Sequence, residues 1–222
     1  MVTGSTSQHR KCIFVLFLSL VFSGTLAYAQ YGNPDSLNTD SASHWSFYAE
    51  ADYYIFPQDQ NILMFVATAD HSLLHLEARY NYEDRNTASV FGGMNFSFGN
   101  TLKLNLTPIA GIAFGRTNGA VPGLEVDLSY KTFDLNSQSE YLFDFSDKEN
   151  DFAYTYLQLG TSLFKKFKVG FAGQRTRLFE TNLDLQRGIY AGYSFHNLNA
   201  TFTIFNPFSD SYFFIASLSI NL

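Results

Sequence analysis

The stretch "LHLEARYNYE" places Leu74, Leu76, Ala78, Tyr80 and Tyr82 on one parity and His75, Glu77, Arg79, Asn81 and Glu83 on the other. Successive side chains of a β-strand point to opposite faces, so this run sorts into an apolar, aromatic face and a face of ionisable and amide groups. The same rule returns along the chain. Trp45, Phe47, Ala49, Ala51 and Tyr53 alternate with Ser46, Tyr48, Glu50, Asp52 and Tyr54. Leu102, Leu104, Leu106, Ala110, Ile112 and Phe114 alternate with Lys103, Asn105, Thr107, Gly111 and Gly115, and Leu124, Val126, Leu128 and Tyr130 with Glu125, Asp127, Ser129 and Lys131. Ile189, Ala191, Tyr193 and Phe195 oppose Gly188, Gly192, Ser194 and His196. After the first thirty residues no segment keeps a helical period, so the chain reads as all-β.

Turn residues divide the pattern into strands at 45–55, 62–69, 73–83, 88–98, 101–115, 123–134, 139–147, 151–163, 167–180, 187–196, 199–206 and 211–222. That makes about 12, with ten as the rival count if the weak 62–69 run and a neighbour belong to a loop. The runs 62–69, 152–163 and 168–179 carry apolar residues on both parities and have no assigned facing. The connections fall into two classes. "DHS" at Asp70, "GN" at Gly99, "FKKF" at Phe164, "HN" at His196 and the slightly longer "NSQS" at Asn136 are short. "FPQDQN", "EDRNT", "GRTNGAVPG", "SDKEND", "ETNLDLQ" and "NPFSDS" are longer and polar. Alternating short and long connections describe an up-and-down meander with tight turns at one end and larger loops at the other.

The N-terminus reads as a secretory signal peptide over 1–29: Arg10 and Lys11, the apolar run "CIFVLFLSLVF", then "AYAQ" with a small-residue cleavage site before Gln30. The apolar run is too short to cross a bilayer as a helix. Residues 30–43 read as a flexible polar leader and 44–222 as the single domain. Cleavage removes Cys12, the one cysteine, and leaves 12 Lys and Arg against 20 Asp and Glu, a formal −8 where the whole chain carries −6. A basic face for nucleic acid is not indicated.

Two architectures share this alternation: a soluble β-sandwich, with its apolar parity in a core, and a transmembrane barrel, with its apolar parity against lipid. An aromatic content of 18% favours the barrel, with rings near strand ends at Tyr53, Tyr54, Tyr80, Tyr82, Phe152, Tyr154, Tyr156, Phe213 and Phe214 as interfacial girdles. The strands are long enough for nine to eleven tilted residues in a bilayer. In hydrocarbon every backbone N–H and C=O needs an internal partner, which only a closed sheet supplies. The expected fold is a closed antiparallel up-and-down transmembrane β-barrel.

The last strand, "YFFIASLSINL", resembles the C-terminal strand signal of Gram-negative outer-membrane proteins, with Phe214, Ala216, Leu218 and Ile220 on one parity and an apolar terminal residue. That residue is Leu222, where the pattern usually has Phe or Trp. The resemblance implies the bacterial outer membrane as location, contact with its lipids and lipopolysaccharide, and assembly by the barrel-insertion machinery. It selects no particular function.

With the apolar parity facing lipid, Glu50, Asp52, His75, Glu77, Arg79, Glu83, Lys103, Glu125, Asp127 and Lys131 are expected to line a narrow, charged lumen. Bracing of the wall by ion pairs comes first, passage of small hydrophilic solutes second and catalysis last. His71 and His75 have the spacing of a helical zinc pair, but on a strand they stand about 13 Å apart, too far for one ion. Ser194 and His196 suggest a nucleophile and base, yet neighbours two apart on a strand are too far for that contact. Arg175 and Arg177 share a face suited to interior carboxylates or to lipopolysaccharide phosphates. "GRTNGAVPG" has no strand-to-helix context for a phosphate loop. No catalytic, cofactor or metal residue is assigned. The expected role is a narrow pore or a structural envelope protein; a membrane-embedded lipid hydrolase or acyl-transfer enzyme and a secreted soluble binding sandwich are the alternatives.

Overall fold

A computed structural model describes residues 44–164, 166–176 and 185–222. The signal-peptide and leader assignments, Arg177 and most of the "ETNLDLQ" loop lie outside the described residues. Twelve antiparallel strands follow one another around a closed sheet: β1 Ser46–Ile55, β2 Ile62–His71, β3 Leu74–Tyr80, β4 in two segments Thr87–Met94 and Phe96–Phe98, β5 Leu102–Gly115 and β6 Gly119–Tyr130. They continue as β7 Phe133–Asp144, β8 Phe152–Leu163, β9 Phe167–Arg175, β10 Gln186–Phe195, β11 Leu198–Phe205 and β12 Phe213–Asn221. The cylinder closes where β1 meets β12, from Tyr48 opposite Asn221 to Ile55 opposite Phe214. First and last strands therefore satisfy each other's backbone, and the sheet has no free edge.

Each short connection carries a residue with positive φ: Ser72, Gly99, Lys131, Phe164 and His196. Tight hairpins need that geometry to match the twist of the strands they join. The chain ends described, near Ser46 and Asn221, lie at this short-turn end, and the longer loops gather at the other.

Two prolines interrupt the ladder. Between the pairs Gly93–Ile109 and Phe96–Leu106, Pro108 has no N–H to give, and β4 breaks at Asn95. Likewise the β6–β7 pairing passes from Ala120–Phe143 to Gly123–Glu140 across Pro122. "GRTNGAVPG" is accordingly not one long loop: only Arg116 to Asn118 connect β5 to β6, and Gly119 to Gly123 are strand. "NSQS" is not a turn either, because Asn136 to Ser139 lie in the middle of β7 and the hairpin turns at Lys131 and Thr132. Polar residues on both parities there, with Ser137 and Ser139 facing out, imitate a turn.

Every strand shows large apolar side chains on its outer face, among them Phe47, Phe65, Leu76, Val90, Ile112, Leu159, Phe171, Ile189, Phe202 and Leu218. Inside, Glu77, Arg79, Glu83 and Glu140 are buried. This inverts the order of a water-soluble protein and matches a barrel set in lipid. Six of the nine rings expected in girdles are interior instead, Tyr156 among them at the edge of the core. Tyr54, Tyr82, Phe152, Tyr154 and Phe213 pack with Met64, Ile109, Leu142, Phe205 and Ile215 into a core in the loop-side half, while Tyr53, Tyr80 and Phe214 stay outside. Room for one further ring comes from glycine: Gly160 and Gly170 pair across β8 and β9, and a Cβ on Gly170 would stand 2.7 Å from the Tyr190 ring.

Candidate functional site

The hairpin of β2 and β3 sets the site's geometry. It pairs Asp70 with His75, Thr68 with Glu77 and Val66 with Arg79 on the inner face. His71 lies on the outer parity, its ring 4.9 Å from that of Trp45. The two histidines are thus separated by a turn and a wall, not by four residues of one strand.

Past Tyr80 the chain leaves the wall. Asn81 has φ 59° and its side chain donates to the Leu63 carbonyl, which folds Tyr82, Glu83 and Asp84 back into the barrel mouth. Tyr82, read as outward with Leu76 and Tyr80, is consequently buried, and Glu83 belongs to the β3–β4 connection. Arg79 sits at the convergence with no exposed side-chain surface. Its Nη2 donates to Glu77 Oε2 at 2.7 Å and lies 3.6 Å from Glu125 Oε1. Nη1 donates to Glu83 Oε1 at 3.2 Å and to Glu140 Oε1, which reaches across from β7. The guanidinium lies 4.4 Å from the centre of the Tyr82 ring and 4.1 Å from that of Phe91. A flat, weakly hydrated cation fits between rings while its edge serves carboxylates, which an ammonium cannot do as well.

A relay of hydrogen bonds borders this cluster on the short-turn side. Thr107 donates to Asn95 Oδ1 at 2.8 Å, Asn95 Nδ2 donates to Asp70 Oδ1 at 2.6 Å, and His75 Nδ1 meets the same oxygen at 2.8 Å. On the β6–β7 side Asn136 donates to Asp127 Oδ1 at 2.5 Å, and Gln138 Nε2 donates to Glu125 and Glu140 at 3.0 and 2.8 Å.

These groups surround a chamber of about 570 Å³ whose lining includes Glu50, Asp52, Asp70, His75, Glu77, Glu125 and Asp127. Towards the short turns, the inward positions Lys103, Asn105 and Ser129 are exposed, so the chamber opens at that end. Towards the loops it ends against the aromatic core, where Val121, Leu142, Phe205 and Ile215 are all but sealed from solvent. Arg79, Glu83 and Glu140 lie buried at the boundary. Lys103 stands at the rim, and Lys131 occupies the β6–β7 hairpin, where its ammonium lies 5.1 Å from the Tyr130 ring. Neither lysine is among the residues that line the chamber, where Glu50, Asp52, Asp70, Glu77, Glu125 and Asp127 make the wall acidic.

Glu140, Asp70 and Gln138 were not singled out from the sequence. Their parity matches that of their neighbours on β7 and β2, but the misplaced turn at Asn136 hid the β7 register. Ser194 donates to Asn199 Oδ1 at 2.7 Å, and His196 is an exposed turn residue packed on Phe195, so the two form no nucleophile–base pair. Arg175 donates to the Ala153 carbonyl at 3.0 Å.

No protein-family model matches the sequence, and no curated protein matches it. Solved structures do. The chain is similar to the KdgM porin, with 12% identity and TM-score 0.54 over 77% of this chain and 98% of that one. A second structure, the KdgM porin in complex with disordered oligogalacturonate, gives 12% identity and TM-score 0.55 over the same shares. The Acinetobacter baumannii outer membrane protein Omp33 aligns with 81% of this chain and 97% of its own at 10% identity and TM-score 0.41. The chain has the closed-barrel fold of the KdgM porin.

Proposed function

We propose that this chain is an integral β-barrel of the Gram-negative outer membrane, exported by the signal peptide 1–29, which provides a narrow, acid-lined passage for small hydrophilic solutes. The observation that carries this reading is the carboxylate-lined chamber enclosed by a wall whose outer face is dominated by large apolar side chains. The barrel has no catalytic role in this reading. Its lining differs in one respect from what an acidic oligosaccharide such as oligogalacturonate needs. Glu50, Asp52, Glu77, Glu125 and Asp127 repel polyanions, and the Arg79 guanidinium beside them is already engaged by carboxylates. Cations and uncharged sugars suit it better. The packed loop-side half favours a pore that conducts sparingly, and a barrel that never conducts would be a structural envelope protein.

Planar-bilayer recording across a salt gradient tests this. Small conductance steps with a reversal potential of cation preference are expected, and Glu125→Gln with Asp127→Asn should move that potential towards zero. Anion preference would overturn the proposed selectivity, and a silent membrane containing correctly folded barrel would support the structural reading.

A further inference from the structure

We propose that His75, Glu77 and Glu125 bind a divalent transition-metal ion in the chamber wall. One ligand atom from each lies within 4.8 Å of the other two. Three residues so placed are not a site by themselves; the buried, unpartnered Nε2 of His75 aimed between the two glutamates makes them one. Its Nδ1 contacts Asp70 Oδ1, an oxygen that only accepts, so Nδ1 carries a proton and Nε2 is the ring atom left facing the two glutamates. Nε2 is buried on a side chain 5% exposed, it has no hydrogen-bond partner, and it faces Glu77 Oε2 at 3.6 Å. A nitrogen facing a carboxylate across this gap needs a positive charge between the two, which either a proton or a metal ion supplies.

The charge balance points the same way. Arg79 is shared by Glu77, Glu83, Glu125 and Glu140, four carboxylates around one guanidinium. A dication beside Glu77 and Glu125 offsets much of that excess. Asp70 behind His75 reproduces the carboxylate–histidine–metal arrangement, which fixes the ring and raises its basicity. One imidazole nitrogen with two carboxylates suits Zn²⁺, Mn²⁺ or Fe²⁺, whereas Ca²⁺ and Mg²⁺ favour oxygen alone.

A tetrahedral ion holds its ligand atoms about 3.5 Å apart, so the widest pair must close by about 1 Å. Glu77 is held by Arg79 Nη2, and Glu125 Oε1 accepts from Gln138 Nε2. Glu125 is the partly exposed member, with 24% of its side chain accessible, and it is the one to swing inward, giving up its bond from Gln138. All three residues line the chamber, so an ion held by them would exchange through its open end.

The test is titration with Co²⁺ of the folded barrel, purified without an affinity tag in detergent free of lipopolysaccharide. One ion per chain is expected, with visible absorption bands of nitrogen and oxygen ligation that Zn²⁺ abolishes by displacement. Glu125→Gln, nearly isosteric and partly exposed, should weaken binding at least tenfold. Asp70→Asn should weaken it about 10- to 100-fold, and His75→Gln should remove the bands. His196→Gln, far from the chamber, should change nothing. Unboiled migration on a gel checks that each variant remains a barrel. Wild-type barrel that takes up no Co²⁺ would overturn the proposal, as would Glu125→Gln and His75→Gln variants that bind like the wild type; a protonated His75 pairing with Glu77 would give the first result. The spectra are independent of conductance, so this site and the pore stand or fall separately.

Discussion

Replacing Arg79 with methionine is expected to cost the barrel about 3–5 kcal/mol of stability, the usual result of removing one partner from a buried ionic cluster. Methionine keeps only the apolar inner part of the side chain; the guanidinium that lies on the Tyr82 and Phe91 rings goes, and with it the charge and the hydrogen bonds. Glu77, Glu83 and Glu140, each no more than 6% exposed, are then left against one another with no cation among them. Lysine should rescue little. It has one compact head where Arg79 uses two nitrogens on opposite edges and both ring faces. Glu140→Gln, by contrast, keeps an acceptor near Nη1 and removes one of four competing carboxylates, so its effect should be far smaller. Urea midpoints of the three variants in the same detergent check the order: methionine lowest, lysine next, Glu140→Gln close to wild type. Equal midpoints for Arg79→Met and wild type would mean that the cluster does not hold the barrel together.

The second large effect belongs to the outer face. Phe171 lies in the middle of β9, 66% exposed, with Leu159 and Ile189 as its direct cross-strand neighbours. Phe171→Arg should cost about 2–4 kcal/mol in a bilayer, the range for a charged side chain near the midplane of a barrel's lipid face. In water the same substitution would remove an exposed ring and improve solubility. The sign of the effect on refolding into vesicles therefore separates a lipid-facing wall from a wetted one.

Strand parity carried much of this architecture. Alternation at Leu74–Tyr80 and at Leu102–Phe114 needs nothing but the pleat to be read, and the twelve strands and their closure follow it closely. Where reading failed, a particular residue had broken the local rule. Pro122 looks incompatible with a strand, yet β6 runs through it by giving up ladder bonds, and serines facing out at 137 and 139 made the middle of β7 resemble a turn. Asn81, in a left-handed conformation, ends β3 early and sends Tyr82 inward, which no pattern of period two could show. The aromatic residues were ambiguous for a simpler reason: a ring is equally at home against lipid and in a packed interior, so Tyr154 and Phe213 filled the barrel where girdles were anticipated. The site was harder still. Charge along β3 is plain in the sequence, but the meeting of Arg79 with Glu140, 61 residues away, depends on how far side chains reach across a closed cylinder. Asp70 behind His75 depends on a hairpin that turns at Ser72 and Leu73, whereas the sequence pattern puts Asp70 and His71 in the turn itself.

The central claim is that apolar side chains face the membrane and polar ones the interior, and β11 tests it with least disturbance. Nitroxide labels on single cysteines from Leu198 to Ile204, in barrels reconstituted into vesicles and otherwise free of cysteine, report collisions with oxygen dissolved in lipid. High accessibility at 198, 200, 202 and 204 and low accessibility at 199, 201 and 203 is the predicted result. The opposite phase, or uniform exposure to a water-soluble relaxation agent along the whole strand, would contradict it.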